Sequence, residues 1–188
     1  MSVLTKFKDS SKELTKVSTI AICAMMLALR IVLGIFANFS LTVIPLQVVK
    51  ISLVFIPLMI TAYLYGPVCA GIVAGAGDIL SFLIAPTALG FLPALTLCYI
   101  LEGIIYGLCL YKTNLELKYI IYAKAFDLIF CTLTLNSLIL QIHFYQTTPL
   151  YMIMLYRAAA LIPFAVIEVF FVWLMKPLLI RVKETTNK

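Results

Sequence analysis

Six long apolar runs follow one another along the chain with only short polar breaks between them. They cover about Val17–Phe39, Lys50–Tyr65, Val68–Ala85, Ala94–Tyr111, Tyr119–Ile142 and Leu150–Leu179. A bilayer core takes about 17–25 residues of helix. Lipid offers backbone N–H and C=O groups no partner, so each run is predicted to be helical. Composition agrees: 64% of the 188 residues are hydrophobic and 12% are charged, against about 45–50% and about 25% in soluble domains. The chain is too short to bury that surplus in a core, and the surplus must face lipid. The predicted fold is an all-α integral membrane protein, a six-transmembrane-helix bundle. Residues 1–16 form a polar N-terminal segment, 17–180 the membrane domain and 181–188 a polar tail.

The breaks are predicted from turn chemistry and charge. Gly66-Pro67 makes a tight turn, Ser40–Val49 and Pro86–Pro93 read as loops, Lys112, Glu116 and Lys118 mark a charged linker, and His143–Pro149 is a polar turn. The first run follows a basic leader, but it is about 20 residues long and lacks a clean small-residue cleavage site. It is taken as a retained helix.

The net charge of +6 does not suggest nucleic acid, because the basic residues are scattered rather than clustered. With six spans, most of the 14 Lys and Arg fall on one side, in both termini and the linkers, with Lys124 and Lys176 counted among them. The positive-inside rule then places both termini in the cytoplasm. Arg30, Lys50 and Arg157 remain on the opposite side, near or inside helices.

An ionisable side chain within a transmembrane helix costs at least about 2.5–3.5 kcal/mol, so it usually meets a partner or a cavity. Arg30, Asp78, Glu102, Asp127 and Glu168 are that deep; Lys50 and Arg157 sit where they can also snorkel to the interface. Helical spacing places Tyr99, Glu102 and Tyr106 on one face, Arg157, Leu161, Phe164 and Glu168 on another, and Thr132 above Asn136. Gly71, Gly75 and Asp78 share a face where a second backbone can approach. Two readings stay open. Internal pairs, such as Arg30 with Asp78 or Glu102, would fix helix register. Alternatively, Arg30, Lys50 and Arg157, with Asn136 and Tyr99, line a basic outer cavity for an anionic ligand. Ala21, Ala24 and Ala28 form a small-residue stripe that suits a partner helix or packing within the bundle.

Several chemistries lack their residues. There is no Walker A loop, G-x-S-x-G or H-E-x-x-H motif. The only histidine, His143, has no evident nucleophile or metal-binding partner. The five cysteines (Cys23, Cys69, Cys98, Cys109, Cys131) lie in apolar stretches without a C-x-x-C pair and read as packing residues. No catalytic residue, cofactor or metal is expected.

An ordered set of motifs carries a family resemblance. Lys50-Ile51-Ser52-Leu53-Val54-Phe55-Ile56-Pro57 is followed by Leu64-Tyr65-Gly66-Pro67 and Gly75-Ala76-Gly77-Asp78-Ile79-Leu80. Then come Pro86-Thr87, Phe91-Leu92-Pro93 and Gly103-Ile104-Ile105-Tyr106-Gly107-Leu108. Together they resemble the substrate-binding S components of energy-coupling-factor (ECF) vitamin transporters, particularly the folate-type group. The likeness covers about residues 18–111; the last two helices match in hydropathy and length. Pro93-Ala94-Leu95-Thr96 departs from the Pro-Gly-Phe-Thr often found there.

The resemblance implies a multi-pass protein of a bacterial cell membrane with an extracellular vitamin pocket, closed by the loop after the first helix. It implies no ATPase activity, and association with a transmembrane coupling subunit and two cytoplasmic ATPases. An A-x-x-x-A element that touches the coupling subunit matches Ala24–Ala28, with Ala21 on the same stripe. For folate, a rim of Arg30, Lys50 and Arg157 would suit the two carboxylates of the glutamate tail. Phe36, Phe39, Phe91 or Tyr99 would stack on the pterin head, and Asp78, Glu102 or Asn136 would read its donor edge. Pantothenate, riboflavin and hydroxymethylpyrimidine remain alternative ligands, and a membrane enzyme or scaffold remains an alternative class.

Overall fold

A computed structural model of the chain describes residues 3–36, 38–44, 47–86, 90–113, 115–143, 146 and 149–186, with 36, 38–44, 47–52 and 184–186 described by backbone alone. Helix α1 (Val3–Glu13) precedes α2 (Val17–Phe36). Strands β1 (Asn38–Ile44) and β2 (Gln47–Ser52) lead into α3 (Phe55–Tyr65), α4 (Pro67–Ile84) and α5 (Pro93–Leu110). Helix α6 (Leu117–Phe126) continues through a π-helical segment (Asp127–Leu135) into α7 (Asn136–His143). Helices α8 (Leu150–Leu174) and α9 (Lys176–Thr186) complete the described chain.

Five of these helical stretches are long and apolar enough to cross a bilayer: Val17–Ile35, Pro67–Ile84, Pro93–Leu110, Leu117–His143 and Leu150–Leu174. The predicted second span is different. Its first residues belong to β2, and its helix, α3, has 11 residues. At 1.5 Å per residue that is about 16 Å, roughly half of a hydrocarbon core. The predicted loop Ser40–Val49 is likewise an antiparallel hairpin, with Phe39 opposite Ile51 and Ser40 opposite Lys50. Val48, Val49 and Ile51 favour extended backbone, and pairing with β1 satisfies the strand's N–H and C=O groups without a helix.

Short as it is, α3 is central. Leu58, Thr61 and Ala62 are fully buried, and Leu58 and Ala62 share a core cluster with Tyr106 and Leu110 of α5. Beside it, α4 and α5 meet across glycines four apart on each helix, Gly71/Gly75 and Gly103/Gly107. A Cβ on Gly107 would lie 2.3 Å from Pro67 Cα, and one on Gly103 2.6 Å from the Ala70 carbonyl oxygen. That contact is too close for any side chain, as at small-residue helix crossings in membranes. Helix α8 is the opposite case. Of its 25 residues only Ile153 and Val172 are buried.

One end of the bundle is tied together by polar contacts. Gly66 turns the chain at φ 86°, a left-handed value that suits glycine, and Pro67 opens α4. The N–H groups exposed there are met by a distant residue. The buried Ser10 hydroxyl donates to the Tyr65 carbonyl at 2.6 Å and accepts from the Val68 N–H at 3.1 Å. Residues 3–13 are thus a docked helix rather than a merely polar leader. Lys6 adds a bond to the Leu108 carbonyl at 2.7 Å, and Lys112 one to Asp9 at 2.6 Å. Helix α9 reaches the same end, where Leu179 joins the core of Leu110 and Leu115 and Lys183 sits 4.2 Å from the Tyr63 ring centre.

Candidate functional site

At the far end from Ser10 the helices separate around a cavity of about 490 Å³. Its walls come from α2 (Arg30, Gly34), the start of α3 (Phe55), α4 (Gly77, Asp78, Ser81) and α5 with its approach (Phe91, Tyr99, Glu102). Lys124 of α6 and Glu168 of α8 also line it. The volume falls within the range of about 300–1,000 Å³ usual for small-molecule pockets.

Arg30 is only 4% exposed. Its side chain fits because residue 77 is glycine: a Cβ there would lie 2.6 Å from Arg30 Cδ. The guanidinium stands 5.6 Å from the Tyr99 ring centre, a cation–π distance. Its Nη1 is buried and has no hydrogen-bond partner. Among the described residues Arg30 makes no ion pair with Asp78 or Glu102. Asp78 instead accepts a 2.6 Å bond from Thr96. Phe82 and Phe91 meet near the mouth with ring centres 5.3 Å apart.

Deeper in the cavity lies a compact charged cluster. Lys124 Nζ is 3.1 Å from Asp127 Oδ2 and 2.5 Å from Glu168 Oε2, the latter an ion pair without an aligned hydrogen bond. Lys124 also donates to the Tyr106 hydroxyl at 3.1 Å, which in turn donates to Asp127 at 2.7 Å. Lys124 therefore does not belong with the basic residues of the polar ends, where its charge alone would put it. The sequence signal was present: Lys124 and Asp127 are three apart in an apolar run, the spacing at which helix side chains pair.

Of the residues predicted to meet a ligand, Arg30, Asp78, Phe91, Tyr99 and Glu102 line the cavity. Asn136 and Arg157 are not among its lining residues. Asn136 follows the π-helical segment, in which the Thr134 hydroxyl bonds the Ile129 carbonyl five residues back. The wider turn breaks the 3.6-residue register on which the Thr132–Asn136 alignment was based. Arg157 shares a half-buried face of α8 with Leu161, Phe164 and Glu168, but only Glu168 reaches the cavity wall. The side chains of Phe36, Phe39 and Lys50 lie outside the described residues. Thr96, Gly77 and Lys124 went unpredicted, because a threonine, a glycine and a lysine acquire these roles only from what packs against them. Ala21, Ala24 and Ala28 are exposed on α2, whereas Cys23 and Arg30 are buried.

The family model for the substrate-specific component of ECF transporters matches residues 18–180. One relative, the folate transporter FolT of Clostridium novyi (strain NT), is 28% identical over 161 residues, spanning 85% of this chain and 90% of that protein. A solved structure, the crystal structure of FolT bound with folic acid, aligns with a TM-score of 0.70 at 26% identity, covering 83% of this chain and 91% of that one. These relatives are transport components, not enzymes. With a matched region that runs through all five long membrane helices, the cavity and the hairpin, the chain belongs to the membrane-embedded substrate-specific components of ECF transporters.

Proposed function

We propose that this chain is the folate-capturing subunit of an ECF importer in a bacterial cell membrane. It takes the vitamin from outside and releases it inside together with a transmembrane coupling subunit and two cytoplasmic ATPases. The observation that carries the ligand reading is Arg30, a buried cation with an unpartnered donor that opens on a cavity of ligand size. A desolvated cation of this kind favours an anion or a strong acceptor. Tyr99, Phe82 and Phe91 supply faces for a flat ring. That both relatives are FolT proteins, one named a folate transporter and one solved with folic acid bound, supports folate over other vitamins.

The topology belongs to the same reading. The bundle crosses the membrane six times, the hairpin and α3 together making the second crossing, and both termini are cytoplasmic. This is supported by the gathering of α1, the Gly66–Pro67 turn, the linker after α5 and α9 at one basic end. An even number of crossings returns the chain there. The exposed stripe of Ala21, Ala24 and Ala28 is the contact for the coupling subunit, since small side chains let a second helix come close.

Purification without added ligand, heat release and an absorbance spectrum test the ligand. A pterin spectrum is expected; a flavin spectrum, or no binding of added folic acid, would overturn folate. For the stripe, Ala24→Glu is expected to abolish folate uptake by cells while leaving folate binding by the purified subunit intact. Undiminished uptake would remove the stripe from the coupling interface.

A further inference from the structure

Lys8, Lys12 and Lys16 follow one another at intervals of four, and Leu4 begins the same row. On a helix such residues lie along one face. Lys8 and Lys12 each stand two residues, about 200° of rotation, from Ser10. The Ser10 face is the docked one, held to Tyr65 and Val68, with Leu14 packed toward Cys69 and Val73. The lysine row therefore points away from the bundle. Lys8, Lys12 and Lys16 are all exposed, and so is Leu4, at 80%. Lys6 and Lys112, by contrast, are answered by the Leu108 carbonyl and by Asp9. Lys8 and Lys12 make no hydrogen bond or ion pair among the described residues, and Lys16 has one exposed contact, with Glu13.

Like charges four apart on a helix repel, and a helix of 11 residues has little stability of its own. Docking through Ser10 holds α1 in shape, while its outer face lacks a negative surface to set against its charge. The chain places such a surface alongside. Only Leu14–Lys16 separate α1 from α2, the first membrane-crossing helix. Two turn bonds keep that link short: Thr15 N–H to the Lys12 carbonyl at 3.2 Å and Lys16 N–H to the Glu13 carbonyl at 3.1 Å. The row thus ends where the apolar run begins, within reach of a headgroup layer about 5–8 Å deep. We propose that the Lys8–Lys12–Lys16 face of α1 binds the phosphate groups of anionic phospholipids at the membrane surface. Each ammonium meets phosphate oxygens, while the lysine stems and Leu4 rest against the acyl boundary. The opposite face of α1 holds the Gly66–Pro67 turn through Ser10, so the lipid contact steadies the end of the bundle where α3, α4 and α5 meet. The inference holds whichever vitamin the cavity takes.

The test places the full-length protein in nanodiscs of phosphatidylcholine alone or of phosphatidylcholine with an equal part of phosphatidylglycerol. Hydrogen exchange of the α1 amides is read by mass spectrometry. Exchange is expected to be at least about tenfold slower with phosphatidylglycerol at low salt, and the difference to shrink in 0.5 M NaCl, roughly, as charges are screened. In the triple variant Lys8→Gln, Lys12→Gln, Lys16→Gln the two lipids are expected to give the same exchange. Equal exchange of the unmodified protein in both lipids would overturn the inference, as would a difference that survives in the variant. Slowing by inorganic phosphate on phosphatidylcholine discs, to the same extent, would overturn the lipid in favour of a free anion. Slowing only when the coupling subunit and ATPases are added would overturn it in favour of a protein partner. Should the variant not fold, the two-lipid comparison on the unmodified protein decides alone.

Discussion

Arg30 and Lys124 are both basic side chains enclosed by apolar helices, and both reach the same cavity. Their surroundings differ. Lys124 is held by two carboxylates and a tyrosine hydroxyl. Arg30 has one aromatic face and a donor left open. The first arrangement holds α5, α6 and α8 together through charge pairing; the second leaves free energy to be recovered when a ligand arrives. A buried positive charge in a membrane helix is therefore not by itself a binding group. What decides is whether the protein has already answered it.

The contrast breaks most sharply at Lys124. Lys124→Met leaves Asp127 and Glu168 without their shared cation, and loss of one partner of a buried pair costs about 3–5 kcal/mol. Thermal unfolding in detergent is expected to show that loss, and adding Asp127→Asn and Glu168→Gln to recover most of it. If Lys124→Met melts like the unmodified protein, the cluster is not structural.

Arg30→Ala is the counterpart, with its effect on binding instead. Removing a charge-assisted hydrogen bond of about 1.5–3 kcal/mol is expected to lower folate affinity by about 10–100-fold, as read by titration of the purified protein. The empty protein is expected to unfold no earlier, since an unanswered buried donor disappears. A large drop in the stability of the empty protein would erase the distinction between the two cations.

Gly77→Ala sharpens the point with a smaller change. Its Cβ would meet the Arg30 side chain, which can move, rather than backbone. Folate affinity is expected to fall, by less than in Arg30→Ala, while unfolding of the empty protein changes little. Calorimetric titration beside a melting curve separates the two.

The smallest effect is expected at the tied end. The hydrogen bond and charge of Lys112 hold the exposed Asp9 carboxyl below its ordinary range, and the same contact raises Lys112. The pair's contribution is present above the unfolded Asp pKa of about 3.9 and is lost only as pH falls through the lower folded value. At the basic extreme it fades as pH rises past the ordinary lysine range. Between these limits an exposed, salt-screened pair contributes little, and Asp9→Asn is expected to leave the melting curve at neutral pH unchanged.

Residue spacing made part of the site legible. Tyr99, Glu102 and Tyr106 share a face of α5 because α5 is a regular helix, and Asp78 sits beside the glycine face of α4 for the same reason. The same rule failed at Asn136, where the π-helical segment changes the turn, and at Lys50–Ser52, where an apolar run pairs as a strand. Period alone does not separate a short buried helix from a strand of similar hydropathy. Ser10 lay beyond any local rule, since its partners Tyr65 and Val68 are more than fifty residues away.

From the sequence alone follow the membrane as solvent, the helical character of the long runs, and the presence of charges deep enough to demand a purpose. Those properties are sums over composition and local period, and no partner has to be known to compute them. Which charges pair and which stay open was decided only when the chain folded. A hydrogen bond or ion pair depends on ångström distances between residues far apart in sequence, and Arg30 and Lys124 look alike until those neighbours are in place.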